Sequence, residues 1–112
     1  MPEGLDLRRM SELMDFIADQ GFNSIRLLFN MEDWLRDPII PQDRFSSSLN
    51  PELHGARYRQ MFKVVIRAAA RRQLLVLMAC HRLRRSYASP EHPEAWPGSW
   101  NGLWWEDDAF PE

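Results

Sequence analysis

The sequence predicts an α/β fold assembled from parallel β/α units. Three observations carry this expectation. Two segments with helical spacing of apolar residues are each followed by a short, unbroken apolar run. Each run gives way to a long connection rich in Pro, Ser or Gly. The alternation of helix and buried strand is the pattern from which parallel sheets are built.

The first helix is expected over residues 5–20. Leu7, Met10, Leu13, Met14 and Ile17 recur at the three-and-four spacing of one helix face, and Arg8, Arg9, Glu12, Asp15 and Asp19 occupy the other. Gly21 suits the left-handed position just past a helix end. Phe22-Asn23-Ser24-Ile25-Arg26-Leu27-Leu28-Phe29 then reads as a buried strand bounded by Gly21 and Asn30. Residues 30–50 form a long connection, broken by Pro38, Pro41 and Ser46-Ser47-Ser48, with room for one helical turn at residues 31–35. Connections of this length are uncommon and often functional. Asn50-Pro51-Glu52 looks like a helix entrance, because proline is pre-set for a first turn. The main helix is expected from near Arg57, with Tyr58, Met61, Phe62, Val65, Ile66 and Ala69 as its apolar stripe. It should end around Arg71-Arg72, where cations favour a helix C-terminus. Leu74-Leu75-Val76-Leu77-Met78-Ala79 matches a strand buried on both faces of a parallel sheet. From Cys80 onward the chain reads as loop, with Pro90, Pro93, Pro97 and Gly98, and Leu103-Trp104-Trp105 is a candidate start of a further ordered segment.

Composition narrows the function classes. A length of 112 residues bounds the chain to one small domain at most. Fourteen Lys and Arg against 16 Asp and Glu leave a charge of −2, which argues against a dedicated nucleic-acid binder. No apolar run approaches the roughly 20 residues of a membrane span. The acidic start Met1-Pro2-Glu3-Gly4-Leu5-Asp6 lacks the apolar region of a signal peptide. A single cysteine, Cys80, excludes an internal disulfide framework and a paired-cysteine zinc site. The histidines His54, His81 and His92 have no metal-ligand spacing, so neither metal nor cofactor is expected. Five tryptophans are many for this length, and four of them (Trp96, Trp100, Trp104 and Trp105) cluster near the C-terminus.

In parallel β/α folds, ligands bind at the carboxyl ends of the strands. That singles out residues 30–34, with Arg26 on the strand itself, and Cys80, His81 and Arg82. Two strands alone leave unpaired edges, and a closed barrel of β/α units needs about 250 residues. The chain is therefore expected to be a piece of something larger.

Four blocks are recognisable. Asp19-Gln20-Gly21-Phe22-Asn23-Ser24-Ile25-Arg26-Leu27-Leu28-Phe29 resembles the GFNTIRLPF segment of glycoside hydrolase family 5, the cellulase family. Leu49-Asn50-Pro51-Glu52-Leu53 resembles the NPDL segment of its endoglucanases. Residues 74–82 resemble its LRVILDRHR strand, and Leu103-Trp104-Trp105 its LWY motif. The blocks stand in family order at plausible spacing. The resemblance implies a partial (β/α)8 TIM barrel of about two β/α units with long loops. Residues 1–112 would be a fragment of the catalytic domain, from the first helix through the loop after the third strand. That family hydrolyses β-glycosidic bonds with retention, using two glutamates after the fourth and seventh strands. The acid/base normally sits in an Asn-Glu pair, and this sequence contains none. Retention needs two carboxyls about 5–5.5 Å apart, so this segment alone is expected to supply no catalytic residue.

Carried over residue by residue, the resemblance gives supporting roles. Arg26 matches the arginine beside the nucleophile, where a guanidinium orients a carboxylate. His81 matches the histidine lining the sugar subsite next to the scissile bond. Trp104 and Trp105 match aromatic positions near the cleft, where a flat ring covers a sugar face. The sequence departs from the family where Ala79 replaces a frequent Asp, Cys80 an Arg and Leu28 a Pro. Each candidate also has an ordinary reading. A charge in an apolar strand, such as Arg26, is costly unless paired. A lone histidine is often merely hydrogen-bonded. Cys80 reads as a buried small hydrophobe. Glu106-Asp107-Asp108 and the arginines Arg82, Arg84 and Arg85 read as solvated charge.

Three function classes follow. The first is a cellulase-type hydrolase acting on β-glucan or an oligosaccharide, extracellular by family resemblance. The others are a non-catalytic carbohydrate-binding fragment and an interaction module docking through strand edges.

Overall fold

The computed structural model describes residues 4–82. Their regular elements are α1 (Met10–Asp19), β1 (Ser24–Asn30), α2 (Met31–Arg36), α3 (Tyr58–Ala70) and β2 (Leu75–Arg82), with 3-10 turns at Gln42–Arg44 and Pro51–Leu53. β1 and β2 pair in parallel, with Arg26 opposite Leu77 and Leu28 opposite Ala79. The parallel pairing is the one the alternating pattern predicts.

Helix α1 starts later than its apolar spacing indicates. The N–H groups of Leu7 and Arg8 both bond to the Gly4 carbonyl (3.1 and 2.8 Å), so the chain turns before the helix begins. Leu7 is consequently exposed, and Leu5 takes the buried place. Met10 and Met14 are buried as expected, with Leu13 and Ile17 packed beside them. At the other end, Gly21 has φ +83°, and the N–H groups of Gly21 and Phe22 bond back to Ala18 and Ile17. This is the left-handed helix stop that glycine accommodates without strain. Helix α3 ends in the same way at Gln73, with φ +57°, where no glycine marks the position.

Both long helices take their N-terminal caps from distant parts of the chain. Asn50 is fully buried. Its Oδ1 accepts from the Met10 N–H at 2.8 Å, and its Nδ2 donates to the Leu5 and Arg8 carbonyls, each at 2.9 Å. The first turn of α3 is capped by Asp37, whose carboxylate accepts the Arg59 N–H (2.8 Å) and the Arg59 guanidinium (3.2 Å). Asp37 itself is left-handed and closes α2. A carboxylate at a helix N-terminus meets unsatisfied N–H groups and a favourable dipole.

The core lies between the helices and one face of the sheet. Met10, Met14, Met61, Phe62, Val65 and Ala69 are buried, and Ile25, Leu27, Phe29, Val76 and Met78 meet them from the strands. The expected stripe of α3 is thus confirmed, with Ile66 at its edge. The expectation of two-sided strand burial is not. Leu75 and Leu77 are 72% and 62% exposed and Leu28 is 43% exposed, because no described element covers their face. Phe22 lies before the strand and is exposed as well.

Truncating Asn50 removes its bonds to the Met10 N–H and to the Arg8 and Leu5 carbonyls, of which Leu5 keeps the Ser46 N–H. Asn50→Ala is expected to cost about 3 kcal/mol in urea unfolding of the full-length protein, against about 0.5 kcal/mol or less for the exposed Ser47→Ala.

The Arg59 backbone N–H, and then its guanidinium, hold the Asp37 carboxyl below the ordinary aspartate value of 3.8. The Arg72 side chain does the same for Asp15 through a hydrogen bond. Such a depressed carboxyl stabilises the fold above its unfolded value and loses that contribution as pH falls through the folded one. The thermal midpoint should therefore decline below about pH 4. An Asp15→Asn, Asp37→Asn double variant should show a flatter acid decline.

Candidate functional site

Side chains alternate along a strand, and the register fixes which of them share a face. Ser24, Arg26 and Leu28 from β1 lie beside Leu75, Leu77 and Ala79 from β2, on the face away from the helices. Phe29 pairs with Cys80 but Asn30 pairs with Arg82, so His81 is the extra residue of a bulge at the carboxyl end of β2. Bulges re-aim side chains and are frequent beside active sites.

Arg26 and His81 are both exposed. The expectation of a buried, paired Arg26 is corrected: its face of the sheet is open, and among the described residues its guanidinium has no hydrogen bond or ion pair. Four residue rises separate His81 from Leu77, the partner of Arg26, which is roughly 13 Å along the strand. The two candidate side chains are thus both exposed but do not form one contact cluster. Cys80 is exposed too, contrary to its reading as a buried small hydrophobe. Trp104 and Trp105, with Trp96 and Trp100, lie outside the described residues.

The carboxyl end of β1 is held by a polar and aromatic network. The Asn30 Oδ1 accepts the Asp33 N–H at 2.7 Å, capping α2, and its Nδ2 donates to the Asp33 carboxylate at 2.8 Å. The Asn30 N–H donates to the Tyr58 hydroxyl at 3.3 Å. Beneath it, Trp34 stacks obliquely on Phe29 (ring centroids 5.1 Å apart) and meets Phe62 edge-on (5.7 Å). Sequence reasoning marked Asn30 and Trp34 only as strand-end positions. The signal for the cap was present, because an asparagine with an acidic residue three positions on is a helix-start signature. On the same connection, Glu32 is buried and pairs with Arg36 at 2.9 Å.

Among the described residues no three His, Cys, Asp or Glu side chains are grouped to hold a metal ion. No helix among them is long and apolar enough to cross a membrane.

No protein-family model and no curated protein sequence matches the chain. Solved structures do. The chain is similar to a hyperthermostable endocellulase studied for its disulfide bond, with 30% identity and a TM-score of 0.65 over 78% of this chain. It is also similar to a cellulase solved in complex with an inhibitor, with 29% identity and a TM-score of 0.63 over the same share. The chain spans 22% of the length of each of those proteins. Its mixed α/β arrangement, with a parallel pair of strands, is therefore similar to part of a cellulase-like glycoside hydrolase fold.

The Asn30 network predicts a local effect. Asn30→Ala removes the α2 cap and should cost about 1 kcal/mol in chemical unfolding, with Asn30→Ser, which keeps an acceptor for the Asp33 N–H, recovering most of the loss.

Proposed function

We propose that this chain is part of a family 5 glycoside hydrolase. It would be a segment of a (β/α)8 catalytic barrel running from the first helix through the loop after the third strand. Its role would be to supply one wall of a cleft that takes β-glucan or a derived oligosaccharide. The observation that carries this reading is the uncovered sheet face, which presents Arg26 in mid-strand, with His81 at a strand-end bulge beside it. In a barrel that face is the interior, and the carboxyl ends of the strands form the substrate side. The likeness to two cellulase structures supports the same reading.

The roles divide by chemistry. A guanidinium at Arg26 would hold and orient a carboxylate supplied by another strand. An imidazole at His81 would hydrogen-bond a sugar hydroxyl. Trp104 or Trp105 would cover a sugar face. The glutamates that protonate the leaving group and attack the anomeric carbon would come from strands beyond the family blocks found here. Action outside the cell belongs to the same proposal.

Reducing-sugar release from carboxymethylcellulose by the full-length protein tests the reading. Arg26→Ala should lower kcat about a hundredfold with little change in KM, since a misplaced catalytic carboxylate costs rate rather than binding. Absence of any sugar release would overturn hydrolysis. If tryptophan fluorescence were still quenched by cello-oligosaccharides, the tryptophan-rich chain would be a non-catalytic carbohydrate binder instead.

A further inference from the structure

On the helical side of the molecule, residues of α1, α3 and the stretch 49–52 line an open groove of about 610 Å³. No strand residue lines it, so it is separate from the open sheet face. Arg9, Arg67, Arg71 and Arg72 reach it, together with Glu52. Met10, Val64 and Ala68 add apolar lining.

This concentration of charge is unusual in a chain with a net charge of −2. Residues 53–82 contain seven Lys and Arg and no Asp or Glu, so α3 carries no carboxylate to offset its own cations. Arg72 is neutralised by Asp15 across the helix pair. Among the described residues, Arg9, Arg67 and Arg71 have no side-chain partner. Helix polarity accounts for Arg67 and Arg71, which sit at the C-terminal end of α3, where cations are favoured. It does not account for Arg9, which occupies the N-cap of α1, where Asp, Asn, Ser or Thr is preferred. Asn50 and Glu12 satisfy the first turn of α1 in its place, so Arg9 has no capping task and stands exposed in the groove lining with Arg67 and Arg71.

We propose that this groove binds a small organic phosphate monoester. Three unpaired guanidiniums and one carboxylate leave two net positive charges in the lining, which matches the −1.5 to −2 charge of a phosphate monoester near pH 7. Guanidinium forks fit tetrahedral oxyanions through paired N–H···O bonds. The apolar lining takes the organic body, and the Glu52 carboxylate accepts a hydroxyl from it. The groove volume is within the range of small-molecule sites. The inference is independent of the hydrolase reading, because the two surfaces share no residue.

Calorimetric titration of the full-length protein at low salt tests it, with phenyl phosphate, inorganic phosphate and neutral phenyl glucoside as probes. Phenyl phosphate should bind more tightly than inorganic phosphate, and phenyl glucoside should not compete with it. Arg67→Gln with Arg71→Gln should weaken phenyl phosphate binding about tenfold or more, whereas Arg44→Gln, on a loop away from the groove, should leave it within about twofold. Saturating cello-oligosaccharide should not displace the phosphate ester. No binding of phenyl phosphate, no preference over inorganic phosphate, an equal loss in Arg44→Gln, or displacement by cello-oligosaccharide would each overturn the proposal.

Discussion

A parallel pair of strands covered on one face only is the constraint from which the other features follow. Parallel strands need a crossover, and here it is supplied by α2, the long connection and α3. That crossover packs on a single face, burying Leu27 and sheltering Ile25, Phe29, Val76 and Met78. The opposite face keeps Leu28, Leu75 and Leu77 in the open. Parallel sheets are found almost only with both faces covered. Fully burying a leucine side chain is worth about 1.5–3 kcal/mol, so three leucines left largely exposed forgo a few kcal/mol, a sizeable part of the stability of a small domain. Such a face is the natural interior of a larger assembly of strands.

The helices meet a second demand, which is to satisfy their ends. Neither Arg9 nor Arg57 can accept from an N–H group, so neither caps its helix through its side chain. Asn50 and Asp37 do so from 40 and 22 residues away. In both cases the long connection after β1 delivers the capping group. It is therefore an ordered strut: it folds back through the Ile40 and Tyr58 N–H bonds to Ala56 and Pro38. Stability and loop conformation are coupled through those caps.

This coupling explains what was legible in the sequence. The apolar stripe of α3 could be read residue by residue, because its period reports directly on one face. Gly21 announced the end of α1, whereas Gln73 performs the same left-handed turn without a marker. The strands were identifiable as strands, but their unbroken apolar runs implied two covered faces. An unbroken apolar run reads as burial on both faces, whereas the described residues cover one face only. For the same reason Arg26 read as a buried charge in need of a partner and is exposed here. The Asn50 and Asp37 caps were not legible, since a contact between positions far apart in sequence leaves no local period.

The open face and the arginine groove place different chemistry on opposite layers of the fold. The face mixes leucines with Arg26, with His81 at the strand end beside it, a composition suited to enclosure: a guanidinium is strong against a carboxylate only when water is largely excluded. Completing the sheet would therefore turn an exposed arginine, screened by solvent, into an orienting group. The groove needs no such completion, because residues of α1, α3 and the stretch 49–52 already line it. Its cations sit on helices whose caps and core contacts lie within the described residues. Under the proposed barrel reading the open face would gain its chemistry from further strands, whereas the groove is lined by described residues alone.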